Sequence, residues 1–194
     1  MRLYKDKLNY KAPGGGGYAP HQDGYKGLGV PQYQSPDERG FIAYVCMVAV
    51  DASSPANGCP ELGIEVWQKK EGWLFDQYMV NPGANDHRPN GDWEAMGPYT
   101  PVPMAKGDVL IYDNYMPHRS GTNSTEDWRR ALFGIYYAEA SAPGRDLRTE
   151  YYEREAEKRR KDGSSSIGGK ANQFHTGTPV LLDPKAPRST SIDM

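Results

Sequence analysis

Val109-Leu110-Ile111-Tyr112-Asp113-Asn114-Tyr115-Met116-Pro117-His118-Arg119-Ser120-Gly121-Thr122-Asn123 is the stretch on which the reading of this chain turns. Its first four residues are β-branched, aliphatic or aromatic and predict a strand. The strand leads into a single histidine. Ser120 follows two residues later, on the same face of an extended chain. Eleven and twelve residues after His118 the basic pair Arg129-Arg130 opens a second apolar run, Ala131-Leu132-Phe133-Gly134-Ile135-Tyr136. Apolar strand, polar connection and apolar strand make the pattern of an antiparallel β protein.

Working outward, Phe41 to Val50 is the strongest strand and is apolar enough to be buried on both faces. Leu62 to Trp67 reads as another strand, and Leu3 to Lys11 alternates with a period of two and reads as a third. Gly14 to Gly17 break that third strand. Four glycines there mean a flexible hairpin or a close backbone approach to a ligand. They are not a phosphate loop, because no Gly-Lys-Ser/Thr follows. Gly24 to Arg39 is a long connection and a candidate lid, and Val80 to Asp92 is a second polar loop. Asp146 to Lys161 is highly charged and predicts a solvated helix held by pairs such as Glu155-Arg159 and Glu157-Lys161. Gly163-Ser164-Ser165-Ser166 reads as a linker, and Lys170 to Met194 as a tail ordered only by docking. The expectation is a mainly β, jelly-roll or cupin-like barrel with peripheral helices and long loops. Residues 1–140 would form the core and 141–194 a carboxy-terminal extension.

The 194 residues suit one core, and 23 basic against 25 acidic residues leave a formal net charge of -2. Nucleic-acid and membrane-surface binding need a basic excess, so neither partner is expected. Cys46 and Cys59 match no zinc spacing and no disulfide framework. The amino-terminal residues have no apolar signal core, and no apolar run approaches the ~18 residues of a membrane span. A soluble, cytoplasmic protein with a small-molecule substrate is expected, and composition says nothing of its oligomeric state.

The chemistry rests on spacing. His21-Gln22-Asp23 lies far upstream, and in an extended segment His21 and Asp23 point together while Gln22 points away. Alone, the tripeptide is as compatible with a surface turn. With His118 it makes two imidazoles and one carboxylate, the ligand set of a non-haem Fe(II) oxygenase, which leaves metal positions open. A jelly roll brings an early and a late strand side by side, as that set requires. Arg129 then has a use: its fork suits the distal carboxylate of a dicarboxylic co-substrate, with Ser120 as a further donor. Taken alone, Arg129-Arg130 would be surface charge.

His118-Arg119-Ser120-Gly121-Thr122-Asn123 with Arg129-Arg130-Ala131, together with Pro20-His21-Gln22-Asp23 and Asn57-Gly58-Cys59, resembles the phytanoyl-CoA dioxygenase family over roughly residues 5 to 138. The resemblance implies a double-stranded β-helix using Fe(II), 2-oxoglutarate and O2. It implies His21, Asp23 and His118 as iron ligands, and Arg129 with Ser120 as the 2-oxoglutarate anchor. Lys11 and the four glycines resemble members acting on small substrates such as 2-aminoethylphosphonate. Met47 falls where an aromatic residue often lines the 2-oxoglutarate pocket, and Lys11 and Met47 are added to the cofactor-binding set. The family usually carries helices before its first strand, and Pro60-Glu61-Leu62 replaces an apolar Leu-x-Val pattern. The implied reaction hydroxylates a C–H bond of a small molecule and releases succinate and CO2. Asp23 favours hydroxylation over halogenation, since related halogenases keep a small residue there. Tyr18, Gln22, Tyr25, Lys26, Tyr112 and Asn114 are substrate-pocket candidates by proximity, and anionic molecules are among the candidate substrates. Two alternatives stay open: a cupin-type metalloenzyme that does not use 2-oxoglutarate, and a non-catalytic metal-binding barrel.

Overall fold

The computed structural model describes residues 1–23, 42–69, 97–162 and 190–193. The expected lid at 24–39, the loop at 80–92, the linker at 163–166 and the pocket candidates Tyr25 and Lys26 lie outside the described residues.

Nine strands form two antiparallel sheets among the described residues. In chain order they are β1 (Arg2–Lys11), β2 (Tyr18–His21), β3 (Ala43–Ala49), β4 (Pro60–Leu62), β5 (Thr100–Pro101), β6 (Val109–Asp113), β7 (His118–Ser120), β8 (Arg129–Tyr137) and β9 (Thr190–Asp193). The five-stranded sheet runs β6-β3-β8-β1-β9, and the four-stranded sheet runs β2-β7-β4-β5. Helix α1 (Ile64–Lys69) follows β4, and α2 (Leu147–Asp162) follows β8. Leu62 from the small sheet and Met116 beside it pack with Val45, Tyr112, Ile135 and Tyr137 from the large sheet. Met104 closes on Met47, Ala49 and Ala131 further along. The two sheets thus share one apolar interior, the arrangement of a double-stranded β-helix.

Local chemistry explains the departures from expectation. β3 is not buried on both faces: its burial alternates, and Tyr44 is 41% exposed. Only one face of the large sheet meets the other sheet, so every second residue of β3 points outward. The strand expected from Leu62 to Trp67 stops at Leu62 and becomes α1. Gly63 donates its N–H to the Pro117 carbonyl at 2.7 Å, Trp67 closes a helical bond on Gly63, and the Trp67 indole reaches Asp113. A six-residue apolar run does not separate strand from helix by periodicity alone.

Helix α2 is not a wholly solvated rod. Leu147, Tyr151 and Glu155 are buried, and Tyr151 meets Tyr4 edge-on with ring centroids 5.2 Å apart. Arg148 pairs with Asp6 of β1. The Glu157–Lys161 pair forms at 2.7 Å on the exposed face, while Glu155 turns inward. Beyond it, β9 adds to the edge of β1, pairing Lys7 with Asp193 and Tyr10 with Thr190. Both cysteines are free thiols. No helix among the described residues is long and apolar enough to cross a membrane.

Leu147→Ala should cost about 2–4 kcal/mol of unfolding free energy, because it opens a cavity under α2. Urea denaturation of the variant would show this, and a loss below about 0.5 kcal/mol would mean that α2 is not docked.

Candidate metal centre and anion pocket

Pairing between β2 and β7 builds the candidate metal centre. Tyr18 faces Ser120 and His21 faces His118, so three steps along β2 match two along β7. The extra residue is a β-bulge, a device that re-aims side chains beside functional sites. With straight pairing Pro20 would oppose His118. The bulge brings His21 there instead, and Pro20, which cannot donate to a ladder, sits in an edge strand where this is tolerated.

The two imidazoles lie 4.1 Å apart centroid to centroid, tilted by 52°. Asp23 completes the cluster, with Oδ1 at 3.9 Å from His21 Nε2 and Oδ2 at 3.9 Å from His118 Nε2. One donor atom from each residue falls within 4.8 Å of the others. His118 Nδ1 lies 2.9 Å from the Met116 carbonyl, which can only accept, so Nδ1 carries a proton, and in the neutral ring Nε2 is the lone-pair donor toward the cluster. Burial pushes the Asp23 carboxyl up, but His118 and His21, with Lys7 and Lys5 behind them, outweigh it and hold the group below the usual carboxylate range. Tyr112 stands beside the centre, its ring 5.0 Å from that of His118. Burial first, then the Asp23 charge, push its hydroxyl well above the ordinary tyrosine pKa. Two imidazole nitrogens and an ionised carboxylate at these separations fit a divalent iron.

A second constellation adjoins the first. Lys11 and Arg129 are cross-strand partners of β1 and β8, and only 2% and 4% exposed. Both reach the Gly58 carbonyl, Arg129 Nη2 at 2.9 Å and Lys11 Nζ at 3.4 Å. Lys11 also donates to Ser120 Oγ at 3.0 Å and to the Gly121 carbonyl at 2.5 Å. These partners are neutral oxygens, and Arg129 Nε is buried without any hydrogen-bond partner. Burial, then the neighbouring Arg129 charge, bring the Lys11 pKa from 10.5 down to about 7, and burial also lowers that of Arg129. Two adjacent buried cations with donor capacity to spare are suited to a carboxylate.

Glycines make room for this pocket. Gly58 has φ +72°, and a Cβ there would sit 2.2 Å from the Gly121 carbonyl oxygen and 2.7 Å from Lys11 Nζ. A Cβ on Gly17 would lie 2.2 Å from the Ser120 carbonyl oxygen. The close backbone approach in the glycine run is therefore to strand β7.

His21, Asp23 and His118 converge as the spacing suggested, and Lys11, Ser120 and Arg129 converge beside them. Met47 is on the inner face but is packed in the apolar cluster with Ala49, Met104 and Ala131. Tyr18 lies next to the anion pocket, its ring centroid 5.9 Å from Lys11 Nζ. Gln22 and Asn114 are not open pocket walls: they are 4% and 0% exposed, and both hold backbone groups. Sequence reasoning missed Gly58 as the shared acceptor, having used Asn57-Gly58-Cys59 only as part of the family resemblance. It also missed the Met116 carbonyl, since no side-chain pattern marks a backbone acceptor.

The family model "Phytanoyl-CoA dioxygenase (PhyH)" matches residues 1–131, and the chain belongs to that family. A methylphosphonate hydroxylase from Gimesia maris is 41% identical over 160 residues, 81% of this chain and 51% of that protein. A 2-aminoethylphosphonate dioxygenase from an uncultured bacterium, HF130_AEPn_1, is 31% identical over 134 residues, 69% of this chain and 45% of its own. The chain spans about half the length of the curated relatives it matches. A solved structure of the epimerase SnoN in complex with Fe3+, alpha ketoglutarate and nogalamycin RO superposes with a TM-score of 0.48 at 18% identity, covering 70% of this chain and 49% of that one.

The depressed Lys11 pKa fixes the sign of a pH effect. Between about pH 7 and the ordinary lysine value the unfolded chain binds the proton that the folded chain has released, so stability rises with pH. From about pH 7 to about 8.5, below the range where the burial-raised Cys59 and Tyr4 take over, the ligand-free protein should gain about 1.5 kcal/mol. Lys11→Met should flatten that rise in denaturant titrations.

Proposed function

We propose that this chain carries the catalytic barrel of an Fe(II)- and 2-oxoglutarate-dependent dioxygenase that hydroxylates a C–H bond of a small anionic molecule, releasing succinate and CO2. The observation that carries the reading is the adjacency of the two constellations on one strand. β7 presents His118 to the metal cluster and, two residues on, Ser120 to the buried cations.

In this reading His21, Asp23 and His118 hold the metal through Nε2, a carboxylate oxygen and Nε2. Arg129 and Lys11 bind the distal carboxylate of 2-oxoglutarate, with Ser120 as a third contact, and Arg129 Nε gains the partner it lacks within the protein. Fe(II), 2-oxoglutarate and O2 together supply, when bound, the oxidising power for C–H hydroxylation. The chain supplies position: rigid strands set the donors, and the apolar wall of Met47, Phe133 and Leu110 limits water.

The substrate class we favour is a phosphonate or similar small anion. The names of two relatives support it, as does the inner face of β1. Lys7 lies over the Phe133 ring at 5.3 Å and near the Tyr18 ring at 6.0 Å, and Lys7 and Lys5 both act on the Asp23 carboxylate. Positive charge beside the metal but four residues along β1 from Lys11 is placed for an anion other than the co-substrate.

Anaerobic addition of 2-oxoglutarate to the Fe(II)-loaded protein should produce the visible charge-transfer band of a bidentate keto acid. Arg129→Ala should weaken that binding by about tenfold or more, the loss expected for a charged hydrogen bond, and Asp23→Ala should abolish succinate formation. No band despite bound iron would defeat the reading. Succinate release should be stimulated by methylphosphonate or 2-aminoethylphosphonate and not by uncharged analogues. Lys7→Ala should raise KM about tenfold with a smaller change in kcat.

A further inference from the structure

Three successive carbonyls of the turn between β6 and β7 each hold one part of the metal-binding set. The Asn114 carbonyl accepts the Asp23 N–H at 3.1 Å. The Tyr115 carbonyl accepts the Gln22 side-chain amide. The Met116 carbonyl accepts His118 Nδ1–H at 2.9 Å. Asn114 is itself fixed to the large sheet. Its side-chain oxygen accepts the Ala43 N–H at 2.9 Å, and its own N–H donates to the Ala43 carbonyl at 2.9 Å. One turn therefore ties β3 to both halves of the His21-Asp23/His118 cluster, which are almost a hundred residues apart in the chain.

The side chain of Gln22 is the part of this device that was free to be otherwise. The other two bonds on the cluster side come from a backbone N–H and from a ligand ring. Gln22 is 4% exposed, and its Oε1 is buried with no hydrogen-bond partner. An apolar residue of the same length would remove the unpartnered Oε1 and lose the bond to the Tyr115 carbonyl, so packing alone does not account for glutamine here. What the amide adds is its N–H bond to the Tyr115 carbonyl, a side-chain link from the His21-Asp23 segment to the turn. Loss of that bond leaves the Asp23 N–H to the Asn114 carbonyl as the remaining tie named here, and so loosens the segment that carries both donor atoms.

We infer that Gln22 is a positioning residue for the metal centre, acting through the Tyr115 carbonyl to fix His21 and Asp23 against His118. The inference rests on the iron-centre reading of the cluster. Partners behind metal ligands typically alter metal affinity by 10–100-fold when removed.

The test uses Co(II) as a spectroscopic probe, without 2-oxoglutarate or substrate. Parent, Gln22→Met and Gln22→Asn proteins are titrated with Co(II), and the visible ligand-field spectrum and the metal-free Tm are recorded. Gln22→Met should bind Co(II) about 10–100-fold more weakly, with a shifted spectrum and a metal-free Tm close to the parent's, since relief of the buried Oε1 offsets loss of the bond to Tyr115. Gln22→Asn keeps an amide but shortens its reach, and should fall between the two. It carries the test if the methionine variant does not fold. Parent-like affinity and spectrum in the variants would overturn the inference, as would a loss of Tm with unchanged Co(II) binding, which marks a merely structural role. A parent protein that binds no Co(II) removes the iron-centre reading and this inference with it, whereas Co(II) binding without a 2-oxoglutarate band removes only the co-substrate.

Discussion

The antiparallel pairing of β2 with β7, and the one-residue bulge within it, is the constraint on which the rest depends. Without the bulge, Pro20 and not His21 would face His118. With it, two imidazoles face each other from two strands, and Asp23, just past the end of β2, closes the third side. Because β7 also pairs with β4, the same three-residue strand is locked from both edges: Pro60 to Leu62 on one side, Tyr18 to His21 on the other. The candidate ligands His21 and His118 therefore inherit their rigidity from ladder hydrogen bonds, as precise functional sites need.

Electrostatics divide the interior into two regions. At one end of β1, Lys11 lies against Arg129 with neutral oxygens as direct partners, an arrangement that disfavours both charges until an anion arrives. Four residues away, Lys7 lies over an aromatic ring on the same side as the metal cluster. Between them stand Asn9 and Ala131, cross-strand partners too short to obstruct the interior. Cations in a low-dielectric interior are expensive to maintain, and such groups cluster where a ligand completes them. The glycines at 17 and 58 belong to the same design, since a side chain at either would collide with the 120–121 backbone beside the pocket.

Much of this was legible in the residues. The alternation of β1, the apolar runs of β6 and β8, and the order H-x-D, His, Arg marked a β barrel with a metal site, because period-two patterning and ligand chemistry are written in side chains. The misreadings share a cause. β3 looked buried on both faces because Tyr44 and Val48 are apolar, although only the tertiary arrangement leaves one face outside. Leu62 to Trp67 looked like a strand because a short apolar run fits either period, and the bonds from Gly63 to Pro117 and from Trp67 to Gly63 and Asp113 hold it as a helix. Helix α2 looked solvated because its charges outnumber its apolar residues, yet Leu147 and Tyr151 are enough to dock it.

The sequence by itself determined the types and order of the candidate ligands and the presence of Arg129 after them, since these depend on which side chains exist and on local strand geometry. Tertiary structure alone decided the register that makes His21 rather than Pro20 face His118, the meeting of Lys11 with Arg129, and the carbonyls of residues 58 and 114–116 that hold them. Backbone acceptors are the same at every residue, so no pattern of side chains announces them. A bulge, likewise, is a difference in count between two strands distant in the chain, and it exists only once they pair.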